Sequence, residues 1–209
     1  MSASIVETAA DHPEHRRIFV DTFSDEPSFR FMLPNDDTRK KHVAWLVQLK
    51  LKLFGGAYVS LSTPGVPRGF AWWLPPGKKP QHGVAAQLAG GYWQAPFRLG
   101  VRSFDRLLRF GSQESRLLRP YVETPHWILD VIATDPSHQR SGLGGALMQP
   151  VFERSERDGT PCFVLTHNAR NVGFYEKYGF RRVLEEPVMG PGSPVAFGLV
   201  RAPSGARLR

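Results

Sequence analysis

The sequence predicts an α/β fold, on the basis of two apolar runs and the segment between them. The run at 127–133 precedes a short loop with glycines, and the loop precedes a stretch whose apolar residues recur at helical spacing. A second apolar run, at 161–166, is typical of a strand that is buried on both faces. A strand, a glycine loop, a helix and a second strand in this order predict a sheet with helices packed against it.

The composition indicates one globular domain, and we expect residues 1–209 to form it. Hydrophobic residues make up 41% and charged residues 22% of the chain, which excludes a disordered protein. No apolar run approaches the roughly 20 residues of a membrane span, and no export segment is indicated, so we expect a cytoplasmic protein without a membrane partner. Because Cys162 is the single cysteine, neither an internal disulfide nor a metal site is expected.

The amino-terminal half predicts a scaffold. Its expected elements are a strand at 5–9, a helix at 12–23, a phenylalanine-rich connection at 25–33, a helix that Asp36 or Asp37 caps and Gly55 with Gly56 ends, and strands at 57–61 and 68–74. Trp72 and Trp73 are neighbours on the last of these strands, and side chains alternate along a strand. At most one of the two therefore faces a ligand.

The loop at 139–144 combines glycines with a cation. Glycine removes side chains where a backbone must come close to another group, and the first amides of the following helix have no partner within the helix. These amides, together with the positive end of the helix dipole, favour a phosphate group, and Arg140 adds a mobile cation. The spacing Gly142-x-Gly144 matches neither the dinucleotide fingerprint nor the nucleotide triphosphate loop.

Two motifs resemble those of the GNAT acetyltransferase superfamily. The order Gln139-x-x-Gly142-x-Gly144 after a strand resembles the acyl-coenzyme A loop, and the stretch 168–180 resembles the asparagine, helix and Tyr-Glu-Lys-x-Gly-Phe segment that follows it. The resemblance covers 127–186 well and the amino-terminal half in outline. It implies acetyl-CoA as the cofactor and a central mixed, mostly antiparallel, twisted sheet of about six to seven strands flanked by helices.

The resemblance also implies roles for single residues. Tyr175 matches the tyrosine that protonates or hydrogen-bonds the coenzyme A sulfur, and the backbone at 132–134 matches the strand that pairs with pantetheine. Asn168 matches the asparagine often bonded to pantetheine, and Asn171 falls where many members have alanine; either asparagine equally fits a helix cap. The expected cofactor-binding residues are Ile132, Ala133, Thr134, Gln139, Arg140, Ser141, Gly142, Leu143, Gly144, Gly145, Asn168, Asn171 and Tyr175.

Residues 78–124 depart from a minimal superfamily member, and their layout resembles that of puromycin-type antibiotic acetyltransferases. Helical patches are predicted at 84–89, 97–110 and 114–121, the last two separated by Gly111. This aromatic insertion forms either a small satellite core or a lid over an apolar acceptor amine. The expected substrate-binding residues are Phe29, Trp72, Trp73 and His167.

The carboxy-terminal part completes the predicted sheet. Pro150 is expected to bend the helix after the glycine loop, because it removes one amide bond and crowds the preceding turn. Segments 180–188 and 195–201 predict a closing hairpin, and 202–209 predicts a frayed tail.

The formal net charge of +8 indicates an acidic partner but does not choose among coenzyme A, nucleic acid and anionic lipid. The basic residues are scattered over separate predicted elements, and no helix carries a continuous basic stripe with interleaved aromatic residues. We therefore interpret most of them as solvated faces and expect no nucleic-acid partner.

The sequence leaves the general base open. An alkyl amine with a pKa near ~10.4 must lose a proton before it attacks, at a cost of roughly 4.6 kcal/mol at pH 7. The positions where relatives carry a glutamate hold Ile128 and Leu165 here. By alternation, Asp130 and His126 share a strand face with Ile128, so these two are the expected catalytic candidates beside Tyr175. His167 is a third candidate for the base, and a water chain without a single base is a fourth.

The leading interpretation is an acetyl-CoA-dependent N-acetyltransferase that acts by direct transfer to the primary amine of a small, apolar or aromatic acceptor. The position of Cys162 in an apolar strand argues against a covalent acyl-enzyme. One alternative acceptor is a protein lysine or amino terminus. An alternative of another class is a non-catalytic, acyl-CoA-binding regulatory module. We expect a monomer or a homodimer.

Overall fold

The structure is a computed structural model, which describes residues 4–6, 13–53, 58–61, 67–78, 90–123 and 125–204. The strands in these ranges are β1 (Ser4–Val6), β2 (Tyr58–Leu61), β3 (Gly69–Leu74), β4 (Trp127–Thr134), β5 (Cys162–Thr166), β6 (Arg181–Pro187) and β7 (Val195–Arg201). They form one sheet in the spatial order β1-β2-β3-β4-β5-β7-β6, in which β4 and β5 are parallel and all other neighbours are antiparallel. The predicted mixed, mostly antiparallel sheet is confirmed.

Helices cover both faces of this sheet. They are α1 (Pro13–Phe23), α2 (Pro27–Met32), α3 (Asp36–Leu53), α4 (Ala95–Leu99), α5 (Val101–Val122), α6 (Leu143–Asp158) and α7 (Ala169–Lys177). One core cluster packs α1, α2, α3 and α5 against β3 and β4, and a second packs α6 and α7 against the opposite face. Within the described ranges, no helix is both long enough and apolar enough to cross a membrane.

The two tryptophans of β3 illustrate this arrangement. Trp72 belongs to the core cluster of α1 and α3, whereas Trp73 belongs to the cluster of α6, so they point to opposite faces as alternation predicts. Both side chains are 0% exposed. Because helices cover both faces of β3, each tryptophan serves as core packing.

The helical insertion differs from its prediction in one respect. The patches expected at 97–110 and 114–121 are joined, because α5 runs without interruption through Gly111. A glycine inside a helix costs only about 1 kcal/mol relative to alanine, which the packing of α5 on the core outweighs. The break lies earlier, at Gly100, whose φ of 77° separates α4 from α5. The patch predicted at 84–89 lies outside the described residues.

Two helix starts in the amino-terminal half also differ from expectation, whereas the helix after the glycine loop has its expected extent. The cap of α3 is Asn35, whose Oδ1 accepts hydrogen bonds from the amides of Asp37 and Thr38, so the expected cap at Asp36 or Asp37 was wrong. The predicted connection at 25–33 contains α2, which has a proline in its first turn. The helix α6 continues through Pro150 to Asp158.

Two irregularities in β4 shape the centre of the sheet. Trp72 pairs with Val131 and Trp73 with Leu129, so Asp130 is an extra residue that bulges out of the register. On its other side, β4 pairs with β5 only through the positions 127–129. Beyond that point β4 and β5 no longer pair, so the backbone amides and carbonyls on their facing edges make no hydrogen bonds between these two strands.

Candidate active site

A cavity of about 1380 Å³ opens where β4 and β5 stop pairing. Its walls come from both strands and from α1, α2, α3, α5, α6 and α7. Unpaired strand edges and helix ends therefore meet in one space. Backbone amides and carbonyls left over at such positions are ready hydrogen-bonding groups for a ligand.

The loop between β4 and α6 is fixed by a buried carboxylate. Asp135 accepts hydrogen bonds from the amide and the hydroxyl of Ser137, and Arg17 of α1 donates to it at 2.5 Å. These donors, the Ser137 hydroxyl first, lower the pKa of Asp135 well below its ordinary value. Asp135 thus ties α1 to the turn that leads into the glycine loop.

The three glycines of the loop have different surroundings. Gly142 has a φ of 81° and caps α6, and among the described residues nothing beyond its chain neighbours lies within 4 Å of where a side chain would begin. At Gly144, an added Cβ would meet the Phe174 ring at 3.0 Å, and at Gly145 it would overlap the Tyr178 hydroxyl. Glycine at 144 and 145 therefore lets the aromatic rings of α7 pack against the start of α6.

Tyr175 projects from α7 into the cavity and is 4% exposed. Phe174 and Phe180 hold its ring through edge contacts with centroid distances of 5.2 Å and 5.8 Å. Burial, with a smaller contribution from the charge of Glu26, raises the pKa of Tyr175 well above its ordinary value. The hydroxyl consequently remains protonated at neutral pH and can donate a hydrogen bond.

Asn168 connects α7 to α2. Its Oδ1 accepts a hydrogen bond from the Arg170 amide at 3.1 Å and so caps α7, while its Nδ2 donates to Glu26 Oε1 at 3.1 Å. Burial raises the pKa of Glu26, and the Asn168 hydrogen bond opposes that shift. Asn168 is therefore the cap of α7 and also lines the cavity, while its expected bond to pantetheine stays a prediction.

Two further carboxylates in the cavity carry cationic or imidazole partners. Asp130 Oδ2 lies 2.7 Å from Lys50 Nζ of α3. Glu114 Oε1 of α5 lies 3.2 Å from His167 Nε2, and the His167 ring also contacts Phe110 with a centroid distance of 5.2 Å. The cavity is therefore polar along β4 and at the end of β5.

The remaining wall is apolar and comes from the amino-terminal helices and the insertion. We call it the apolar end, and it consists of Phe19, Phe23, Phe29, Met32, Phe104 and Phe110. A wall of this kind favours a ligand with an apolar or aromatic group.

Most of the residues predicted from the sequence line this cavity. They are Phe29, Asp130, Ile132, Ala133, Thr134, Gln139, Arg140, Gly142, Leu143, Gly144, Gly145, His167, Asn168, Asn171 and Tyr175. Four predicted residues do not line it: Ser141, His126, Trp72 and Trp73.

Each of these four has a physical reason for its position. The Ser141 hydroxyl turns back to the carbonyl of His138 at 2.7 Å. His126 precedes β4 and packs edge-on against Phe163 with a centroid distance of 6.3 Å, away from the bulge at Asp130. Helices cover Trp72 and Trp73 on the two faces of β3.

Sequence reasoning missed Glu26, Lys50 and Glu114, which all line the cavity. Glu26 reaches it through a contact with a residue 142 positions further along the chain. Its one local signal is the Pro27 that follows, which marks the start of a helix and leaves Glu26 at the cap position.

Residues 100–180, which supply β4, β5, the glycine loop and Tyr175, match the model of the acetyltransferase (GNAT) family. Over this region the chain is similar to GNAT acetyltransferases. Part of the chain is also similar to a mycothiol acetyltransferase of Brachybacterium faecium. It is 47% identical over 53 residues, which are 24% of this chain and 16% of that relative's length.

Two wider comparisons extend over most of the chain. An uncharacterised N-acetyltransferase of Schizosaccharomyces pombe is 22% identical over 188 residues, 86% of this chain and 74% of the relative. A solved structure of a histone acetyltransferase and related acetyltransferase from Corynebacterium glutamicum covers all of both chains, with a TM-score of 0.68 and 19% identity. At that identity the likeness shows the fold alone.

Proposed function

We propose that this protein is an acetyl-CoA-dependent N-acetyltransferase that transfers the acetyl group directly to the primary amine of a small, apolar or aromatic acceptor. The observation that carries the proposal is the single cavity that joins the start of α6, the unpaired edges of β4 and β5, and Tyr175 to the apolar end. The match of residues 100–180 to the model of the acetyltransferase (GNAT) family supports the reaction class. The apolar end supports the acceptor class.

The residues of the cavity fit coenzyme A. The start of α6 presents amides and the positive end of the helix dipole, which suit a diphosphate, and Arg140 is exposed beside it. The position of Gly142 leaves that approach open. The backbone at 132–134 lies on the edge of β4 that no longer pairs with β5, where it suits the amides of pantetheine. When bound, acetyl-CoA supplies an activated thioester.

Tyr175 and Cys162 have different roles in the proposed transfer. Tyr175 holds its proton because its pKa is raised, so its hydroxyl serves as a donor to the departing sulfur. Burial raises the pKa of Cys162 to about 11 and keeps this thiol protonated within β5. A protonated, buried thiol is a poor nucleophile, which supports direct transfer over an acyl-enzyme.

The aromatic character of the apolar end favours a small apolar or aromatic acceptor over a protein lysine or amino terminus. A cytoplasmic location, a monomeric or dimeric state and the absence of a nucleic-acid partner stay predictions.

The test is release of free thiol from acetyl-CoA in the presence of a panel of aryl and alkyl amines. We expect amine-dependent release, lowered about 10²-fold or more by Tyr175→Phe because the sulfur loses its donor. Tyr121→Phe is the matched control, since the Tyr121 hydroxyl donates to the Val183 carbonyl outside the cavity. Tight coenzyme A binding without turnover of any amine would instead support a regulatory module.

A further inference from the structure

Three carboxylates line the cavity, and they differ in their partners. Asp130 pairs with Lys50, and Glu114 faces His167. Glu26 instead accepts a hydrogen bond from the neutral amide of Asn168. Among the described residues that line the cavity, Glu26 is therefore the carboxylate with neither a lysine nor an imidazole at ion-pair distance.

The backbone around Glu26 leaves its side chain available to the cavity. Glu26 is the cap residue of α2, yet its side chain makes no capping hydrogen bond. The backbone is held separately, because the Glu26 amide donates to the Phe23 carbonyl at 3.0 Å and the Glu26 carbonyl accepts from Arg30 at 3.0 Å. Main-chain hydrogen bonds hold the Glu26 backbone, and the Asn168 side chain donates a hydrogen bond to its carboxylate.

Glu26 and Tyr175 line the same cavity. Asn168 caps the helix that carries Tyr175 and simultaneously holds the Glu26 carboxylate. The charge of Glu26 contributes to the raised pKa of Tyr175, so the two groups lie within electrostatic reach of each other. A carboxylate acceptor and a phenol donor therefore flank one space, with Phe29 of the apolar end beside it.

We propose that Glu26 is the general base that takes a proton from the acceptor ammonium group. This inference rests on the proposed acetyl transfer and names the residue that the sequence left open. The reacting nitrogen binds between Glu26 and Tyr175, and the substituent of the amine lies along the apolar end. Asp130 and Glu114 are engaged by Lys50 and His167 and serve to position groups around that nitrogen.

The proton balance requires two acceptors. Glu26 takes one proton from the ammonium group, which frees the lone pair that forms the nitrogen–carbon bond, and passes that proton to solvent. The carbon–sulfur bond breaks with its electron pair on sulfur, and Tyr175 donates its proton there. The second proton lost by the nitrogen restores the Tyr175 hydroxyl. The sum is one amide, one thiol and one released proton.

The residues around Glu26 determine the direction in which its pKa is shifted. Burial raises its pKa above the ordinary value, while the Asn168 hydrogen bond and the charge of His167 oppose that shift. Tyr175 lines the same cavity, and its raised pKa keeps it protonated across the neutral range. The base form is lost as the pH falls through the raised pKa, so the rate with a charged amine falls on the acid side.

The experiment compares Glu26→Gln with the wild-type enzyme on benzylamine, which is charged at neutral pH, and on aniline, which is not. We expect kcat with benzylamine to fall 10²- to 10⁴-fold, with a small change in KM and loss of the acid limb of the pH profile. Turnover of aniline should fall far less, because aniline needs no deprotonation before attack. Glu185→Gln, an exposed carboxylate paired with Arg182 on β6, is the matched control.

Two further measurements separate the outcomes. If the wild-type protein neither binds coenzyme A nor releases thiol with any amine, the acetyl-transfer proposal fails. If the wild-type protein is active and Glu26→Gln keeps both its rate and its acid limb, Glu26 is not the base although the transfer stands. Carbon-13 NMR titration of Glu26 in the wild-type protein does not depend on folding of a variant. A pKa at or below the reference value of about 4.3 overturns the proposal.

Discussion

Carboxylates that line one cavity can have different roles, because the residues that contact them differ. Asp130 sits on a β-bulge that turns it towards Lys50, whereas Glu26 sits at a helix start beside a neutral amide. Residue type alone predicts neither the ion pair of Asp130 nor the amide contact of Glu26. His126 is a second example. It was expected on the strand face of Ile128, but it packs against Phe163 and does not line the cavity.

The close approach of α6 and α7 depends on glycine at position 145. We expect Gly145→Ala to lower the free energy of unfolding by about 1–3 kcal/mol, because the added Cβ overlaps the Tyr178 hydroxyl. In a Tyr178→Leu background, Gly145→Ala should lower the free energy of unfolding by a smaller amount. Denaturant unfolding of the double-mutant cycle measures this coupling.

Gly173→Ala in α7 is the control, since nothing lies within 4 Å of its Cβ position. It should leave stability unchanged or raise it by up to about 1 kcal/mol, as expected for glycine replaced by alanine in a helix. Equal costs of Gly145→Ala in both backgrounds would show that the ring of Tyr178 does not set this contact.

At the scale of elements, the turn before the glycine loop is held by a charge that depends on pH. Asp135 has a depressed pKa, so its contribution to stability is complete above the unfolded-state pKa of about 3.9 and is lost as the pH falls through the folded-state value. We expect Asp135→Asn to cost about 1–3 kcal/mol at pH 7. Below about pH 4 the difference from the wild-type protein should narrow.

Unfolding at a series of pH values checks this prediction. Asp158→Asn, an exposed position at the end of α6, is the control and should follow the wild-type curve. A constant difference between Asp135→Asn and the wild-type protein from pH 7 to pH 3 would show that the Arg17–Asp135 contact carries no ionic contribution.

For the whole molecule, the amino-terminal half supplies the apolar end and the carboxy-terminal half supplies the glycine loop and Tyr175. If the proposed acceptor class is correct, Phe29→Ala should raise KM for benzylamine about tenfold or more, as expected when an aromatic contact is removed from a pocket. Methylamine, which has no ring to lose contact with, should be affected far less.

Phe97→Ala is the matched control for this prediction, because Phe97 is 84% exposed on α4. Steady-state kinetics with both amines decide the outcome. Equal effects of Phe29→Ala on benzylamine and methylamine would show that the apolar end does not contact the acceptor substituent.

The sequence predicted the parts of the molecule that local patterns determine. The strand, loop and helix from β4 to α6 and the helix with Tyr175 follow from apolar periodicity and from motif order. Glu26 was missed because its place in the cavity depends on contact with Asn168, far along the chain. The α3 cap was misplaced because three adjacent residues, Asn35 to Asp37, all have capping side chains, and only the backbone decides among them.

Calorimetric titration with coenzyme A and with pantetheine tests the central claim most directly, because the two ligands differ in the diphosphate assigned to the start of α6. The account predicts one coenzyme A site per chain and markedly weaker binding of pantetheine. An absence of heat with coenzyme A, or equal affinity for the two ligands, would contradict it.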